Sequence, residues 1–206
     1  MYNKLKKLPI EFYDRPDVVL IAKELLGKVL VTRFNDILTT GRIVETEAYV
    51  ALVDMASHSR NGTRTQRNEH MYHTPGIAYV YICYGMHHLF NVVTNKKDIP
   101  DAVLIRAVEP LSGIADMLVR TGKKQLDNTL TKGPGNVGKA LGIDKAHSGL
   151  NLLGKKIFIA DDGFVPNAKQ VGASKRIGVE GAGQSALLPY RFYIKGNPFV
   201  SGRPTK

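Results

Sequence analysis

Apolar residues recur at helical spacing over residues 16–26, where Val18, Ile21, Ala22, Leu25 and Leu26 form one stripe. Pro16 suits the first helical position and Gly27 supplies the stop, so the pattern predicts a helix across this span. Alternation then takes over. Residues 29–33, 41–49, 77–84, 87–94 and 102–108 read as strands, the third and fourth joined tightly around Gly85-Met86 as in a hairpin. In the last of these, Leu104 and Arg106 share one face and Val103 and Ile105 the other. Residues 110–120, ending at Gly122, and 134–141, stopped by Gly142, are further helix candidates. Residues 156–160 and 191–195 add strands, with Asp161-Asp162-Gly163 turning the chain between them. Many short strands with a few segregated helices predict an α+β domain on an antiparallel or mixed sheet. The long polar span 50–76 is expected to lie over a functional face.

With 206 residues, no Ser/Gly/Pro-rich linker and no internal repeat, one domain with a substantial core is expected across 1–206. Residues 1–8 are expected to form a flexible arm; the first seven are basic but lack the apolar core of a signal peptide. The 43% hydrophobic and 23% charged content is ordinary for a globular protein. The balance of charge is not. Twenty-nine Lys and Arg against 18 Asp and Glu give a formal net charge of +11 and a pI near 9.7, which favours a polyanionic partner. No basic amphipathic helix and no apolar run of membrane-spanning length is present, so nucleic acid is preferred to a membrane. The lone Cys83 excludes an intrachain disulfide framework and a Cys-based zinc site. A cytoplasmic, nucleoid-associated monomer with no obligate protein partner is expected.

Acids and rings are concentrated between residues 41 and 91. On a strand over 41–49, Glu45, Glu47 and Tyr49 point to one face and Arg42, Val44 and Thr46 to the other, the two carboxylates about 7 Å apart. An acidic pair at this spacing usually lines a solvated face. Here the flanks are apolar and aromatic, so at least one Glu is expected near a pocket that tunes its pKa. A lone Tyr is usually a core residue, but Tyr49, Tyr79, Tyr81 and Tyr84 are not alone, and Tyr84 sits where the chain must turn. A ring on a rigid tip can enter the minor groove and fill the gap left by a flipped nucleotide. Acid for chemistry, rings for stacking and a basic surround are what an enzyme acting on an extruded base requires.

Two other patterns are weaker. The adjacent His87 and His88 point to opposite faces of a strand, and His70 and His73 lack a third ligand, so no metal site is predicted. His58 follows the Glu47/Tyr49 strand and belongs with that face instead. Residues 133–140 nearly spell a phosphate-binding Walker loop, with Asp161 ending an apolar strand, but Ala140 stands where a magnesium-binding hydroxyl is needed. The glycine-rich start, with Lys132 and Lys139 nearby, could still hold a DNA phosphate.

In order along the chain, Arg42-Ile-Val-Glu-Thr-Glu-Ala-Tyr49, Ala56-Ser-His-Ser-Arg60, Arg67-Asn68, Tyr79-Val-Tyr-Ile-Cys-Tyr-Gly-Met86, Asn91, Leu104-Ile-Arg-Ala-Val-Glu-Pro110 and Arg176-Ile-Gly-Val179 strongly resemble the alkyladenine-type 3-methyladenine DNA glycosylases. The resemblance covers most of 8–200. Residues 143–172 match no motif, and His87-His88 depart from the more apolar or aromatic residues expected there. It implies a single α+β domain with a curved, mainly antiparallel sheet, flanking helices and a protruding β-hairpin. It also implies a monofunctional, cofactor-free hydrolase that flips damaged purines from double-stranded DNA through the minor groove. Its lesions would be 3-methyladenine and 7-methylguanine, with hypoxanthine and ethenoadenine as further candidates. By the same resemblance Glu47 is the water-activating base, with Arg106 and the Ile177 carbonyl contacting the water. Tyr49, His58 and Tyr81 are the pocket walls, Asn91 a pocket residue that disfavours guanine's exocyclic amine, and Tyr84 the intercalating wedge beside Met86. The alternatives are a non-catalytic nucleic-acid-binding module on the same scaffold, against which the ordered Glu47/Arg106 pair argues, and, more remotely, a P-loop nucleotide hydrolase.

Overall fold

The computed structural model describes residues 5–202. At its centre, β2 (Val29–Phe34) turns into β3 (Ile37–Tyr49) through Asn35 and Asp36, whose φ angles are 49° and 61°. Two successive left-handed residues match the right-handed twist of the flanking strands, and Asn and Asp tolerate that conformation. The strand predicted to begin at residue 41 therefore begins four residues earlier. β4 (Ala78–Cys83) and β5 (His87–Thr94) form the expected hairpin, and β6 (Asp101–Ser112) pairs with β5 and β3. β1 (Lys6–Lys7), β7 (Ile157–Asp161), β8 (Val171–Ser174) and β9 (Arg191–Ile194) complete nine strands among the described residues. Their order is β1-β7-β2-β3-β6-β5-β4, with β8 on β9 and β9 on β3, and the pairings are antiparallel.

One strand carries the site and changes neighbours along its length. β3 pairs with β2 over residues 37–42 and with β9 over 45–47, while its register against β6 shifts on either side of Glu45. Such irregularities bend a strand and re-aim its side chains. Here they turn Glu45 and Glu47 together toward Arg106 on β6, and Thr46 toward the helix behind, where its hydroxyl donates to the Ala22 carbonyl at 2.8 Å.

That helix, α2 (Val18–Glu24), follows the four-residue α1 (Ile10–Tyr13) and buries Val18, Ile21 and Ala22. Its cap is Asp17, which accepts the Leu20 N–H at 2.8 Å; Pro16 thus precedes the cap instead of opening the helix. The helix expected over 110–120 is corrected in its first turn. Residues 110–112 continue β6, because Pro110 and Ser112 pair with Gly41 and Thr40, and Gly113 at φ 74° then turns the chain into α3 (Ile114–Thr121). α4 (Pro134–Leu141) is as predicted and lies so close to β5 that a Cβ on Gly138 would stand 2.2 Å from the His88 carbonyl oxygen. Among the described residues, no helix is long and apolar enough to cross a membrane.

Residues 143–172 acquire a structural role. The stretch 145–152 runs along the outer edge of β4: Ala78 and Leu152 donate to Leu150 and Gly76, Gly149 donates to Ala78, and the Val80 N–H is received by the Ser148 hydroxyl. This covers the edge strand that precedes the hairpin tip. Of the expected N-terminal arm, residues 1–4 lie outside the described residues, Lys6–Lys7 pair with β7, and Leu8 is buried. The main apolar core joins α2 and α4 to the sheet, and a smaller one of Met71, Tyr72, Ile77, Tyr79, Val93 and Ala102 ties the 50–76 span to the strands beneath it.

Candidate active site

Glu47 has no exposed surface. Its Oε1 accepts the Ile177 backbone N–H at 2.8 Å, and its Oε2 accepts the Tyr49 hydroxyl at 2.8 Å and faces Arg106 Nη1 at 3.2 Å. Burial raises the Glu47 pKa, while Arg106, the Ile177 N–H and the Tyr49 hydroxyl pull it back. Glu45 is equally buried but bound differently. Its oxygens accept from the Nε atoms of Arg106 and Arg191, at 2.9 and 2.7 Å, and from the Ser201 hydroxyl and N–H. The solvated-face reading of this acidic pair is thereby excluded for both.

Tyr49, Arg106 and Ile177, the three partners of Glu47, line one cleft of about 440 Å³, a size typical of small-molecule sites. His58, Tyr81 and Asn91 line it too, with Ala56, Ser57, Arg67 and Met71 from the 50–76 span, which does lie over this face. The His58 and Tyr81 rings meet edge to face, centroids 4.5 Å apart. A base stacked between two rings needs about 7 Å, twice a carbon–carbon contact, so these two rings together make one wall. His58 Nδ1 lies 2.8 Å from the Tyr79 hydroxyl, and burial with Arg67 and Arg60 nearby pushes its pKa down to about 4, so the imidazole is neutral at physiological pH. Asn91 is pinned by its amide, which donates to the carbonyls of Tyr79 and Leu89.

At the cleft's mouth, Cys83 and Tyr84 reach the lining from the β4–β5 turn. Tyr84 is 87% exposed and Met86 69% exposed, with Tyr84 and Gly85 both at positive φ and Met86 N–H closing on the Cys83 carbonyl. The base of the hairpin is anchored where the tip is not: His88 Nδ1 accepts the Lys145 N–H at 2.9 Å, and His87 packs against Gly135. The two histidines thus face different neighbours, and among the described residues no group of three or more His, Cys, Asp or Glu is placed to hold a metal ion. The near-Walker pattern also comes apart, since Asp161 pairs with Lys28 and Lys139 donates to the Thr121 carbonyl.

Four supporting residues carried no recognised role in the sequence. Arg176 and Asp54 form a fully buried bidentate pair, and Arg176 lies 4.7 Å from the Tyr49 ring centroid, backing that ring. Asn68 shapes the 56–68 loop by donating to the carbonyls of His58 and Thr63. Ser201 joins the Glu45 cluster from the far end of the chain. The only signals were the Arg176 and Asn68 positions inside quoted motifs; Asp54 and Ser201 stand in no pattern.

A family model for methylpurine-DNA glycosylases matches residues 11–198. Relatives provisionally named 3-methyladenine DNA glycosylase include one from Clostridium perfringens strain 13, 44% identical over 203 residues, covering 95% of this chain and 98% of its own. Another, from Desulfitobacterium hafniense strain Y51, is 44% identical with 96% and 99% coverage. A third, from Oceanobacillus iheyensis, is 44% identical with 97% and 98% coverage. With the family model spanning nearly the whole chain and relatives this similar end to end, the chain belongs to the methylpurine-DNA glycosylase family, whose members hydrolyse N-glycosyl bonds in DNA.

Proposed function

We propose that this enzyme draws a damaged purine out of duplex DNA from the minor-groove side and hydrolyses its N-glycosidic bond with water activated by Glu47. The observation that carries this reading is a buried carboxylate whose three partners all line a base-sized cleft walled by aromatic rings. Water adds to the sugar C1′ and gives its proton to Glu47, and the base leaves with the bonding electrons. The same carboxylate, in a dry site, stabilises the oxocarbenium-like sugar. Arg106 and the Ile177 carbonyl hold the water, while the Ile177 N–H orients Glu47. A 3-methyladenine or 7-methylguanine in DNA is already cationic, so it departs without a strong acid and stacks well on Tyr49, His58 and Tyr81. Hypoxanthine and ethenoadenine, which are neutral, form the outer part of the range. The pinned Asn91 disfavours the exocyclic amine of ordinary guanine, a neutral and poor leaving base, whereas the positive charge of 7-methylguanine lets it depart despite that contact. Tyr84, with Met86, fills the place of the extruded nucleotide. No cofactor takes part, and the protein acts as a monomer.

Glu47→Gln keeps the shape but removes the base and its charge. Base release from duplexes bearing single lesions should fall by at least about 10²–10⁴-fold while lesion binding persists. An active Glu47→Gln alongside an inactive Glu45→Gln would reverse the assignment. Because the working form is the carboxylate and burial raises its pKa, activity should be present above that pKa and fall as pH drops through it.

A further inference from the structure

Glu45, the buried acid that the reaction leaves unused, is held by a turn of the chain nearly 160 residues away. Ser201 donates its N–H to Glu45 Oε2 at 2.6 Å and its hydroxyl to Glu45 Oε1 at 2.9 Å, and its carbonyl accepts from Arg191. A hydroxyl has one proton; with that proton on Glu45, its lone pair receives Arg106 Nη2 at 3.2 Å. Arg106 Nε is meanwhile spent on Glu45 Oε1 at 2.9 Å. Nη1 is the nitrogen that faces Glu47, 3.2 Å from its Oε2. We propose that Ser201 is a positioning residue that, together with Glu45, tethers the Arg106 guanidinium so that it faces Glu47 through Nη1 alone. This rests on Glu47 being the base.

The tether matters because a guanidinium freed to engage a carboxylate through two N–H groups makes a strong pair and so a weak base. Two glutamates and two arginines balance to zero net charge in the buried cluster, which a dry site tolerates only while each is hydrogen-bonded. Without the Ser201 hydroxyl, the buried Nη2 and Glu45 Oε1 each lose a partner, and the guanidinium is no longer fixed in its place between the two carboxylates. The other groups facing Glu47 are Tyr49 and Glu45 on its own strand, Tyr81 on β4 and Arg176 beside Ile177; of these only Glu45 touches Ser201, and without the hydroxyl it keeps both arginine Nε donors and the Ser201 N–H.

The test is single-turnover excision of 7-methylguanine from a duplex, with enzyme saturating, from pH 5 to 9. Ser201→Ala should move the acid limb down by about one pH unit, a tenfold change in proton affinity. It should also lower the plateau rate about three- to tenfold, as a weaker base must, with duplex affinity within about twofold of wild type. Ser201→Thr, which keeps the hydroxyl, should restore both. Val200→Ala loosens the same turn without touching its hydrogen bonds and should leave the limb in place. An unmoved or rising limb in Ser201→Ala, or an equal shift in Val200→Ala, overturns the tether while leaving Glu47 as base. A wild-type profile without an acid limb, or full activity in Glu47→Gln, overturns both.

Discussion

Glu45 and Glu47 are equally buried, so what separates them is the kind and number of donors each receives. Glu45 takes two guanidinium N–H groups, a hydroxyl and an amide, which fill its oxygens with partners that stay put. Glu47 accepts from a phenol and an amide and faces one guanidinium nitrogen, all of them on the cleft wall. A similar logic applies to Asp54, whose only ionic partner among the described residues is Arg176, both side chains being buried. Asp54→Ala would strand the guanidinium behind Tyr49 and should reduce stability by about 3–5 kcal/mol in denaturant unfolding. A loss below about 1 kcal/mol would mean the pair is not what holds the 176–178 segment against β3. At this scale the side chains that gather around the cleft were legible because they cluster in short motifs. Their supports were not: Asp54 finds Arg176 across 122 residues and Glu45 finds Ser201 across 156, distances over which spacing carries no signal.

Seven of the nine strands and α4 could be read from alternation and capping, β1 and β8 being too short to carry a pattern, and the misplaced boundaries fall where a tertiary partner overrides a local pattern. Pro110 looked like a helix start, yet pairing with β3 keeps residues 110–112 extended. The early start of β3 went unread because Asn35-Asp36 was not recognised as a two-residue hairpin turn. At the other hairpin, Tyr84→Ala should weaken capture of the extruded nucleotide more than bond cleavage, by roughly 1–3 kcal/mol of lost stacking. Fluorescence of 2-aminopurine beside the lesion reads this directly, and the deficit should be larger for a well-paired lesion than for one in a bulge. Equal flipping by both proteins would return Tyr84 to an ordinary surface tyrosine. Tyr84→Asn should show the same deficit but melt about 1–3 °C higher, since Asn-Gly suits two left-handed positions better than Tyr-Gly.

For the whole molecule, a net charge of +11 predicts that binding to plain duplex is strongly salt-dependent and largely indifferent to sequence, through counterion release. A flat plot of log K against log salt concentration would remove that electrostatic term. Composition made the polyanionic partner legible, while the edge cover at 145–152 was invisible because it is built mainly from backbone hydrogen bonds that no side-chain pattern announces. The long span between Glu45 and its clamp also sets a clock. At about 5–20 residues per second, the 146 residues from Glu45 to Arg191 take about 7–30 s to synthesise. Until then the two acids of β3 have only Arg106 to share, and Ser201 arrives later still. The nascent chain can thus complete much of its sheet and expose its basic surface to nucleic acid before the buried acid pair has its full set of partners.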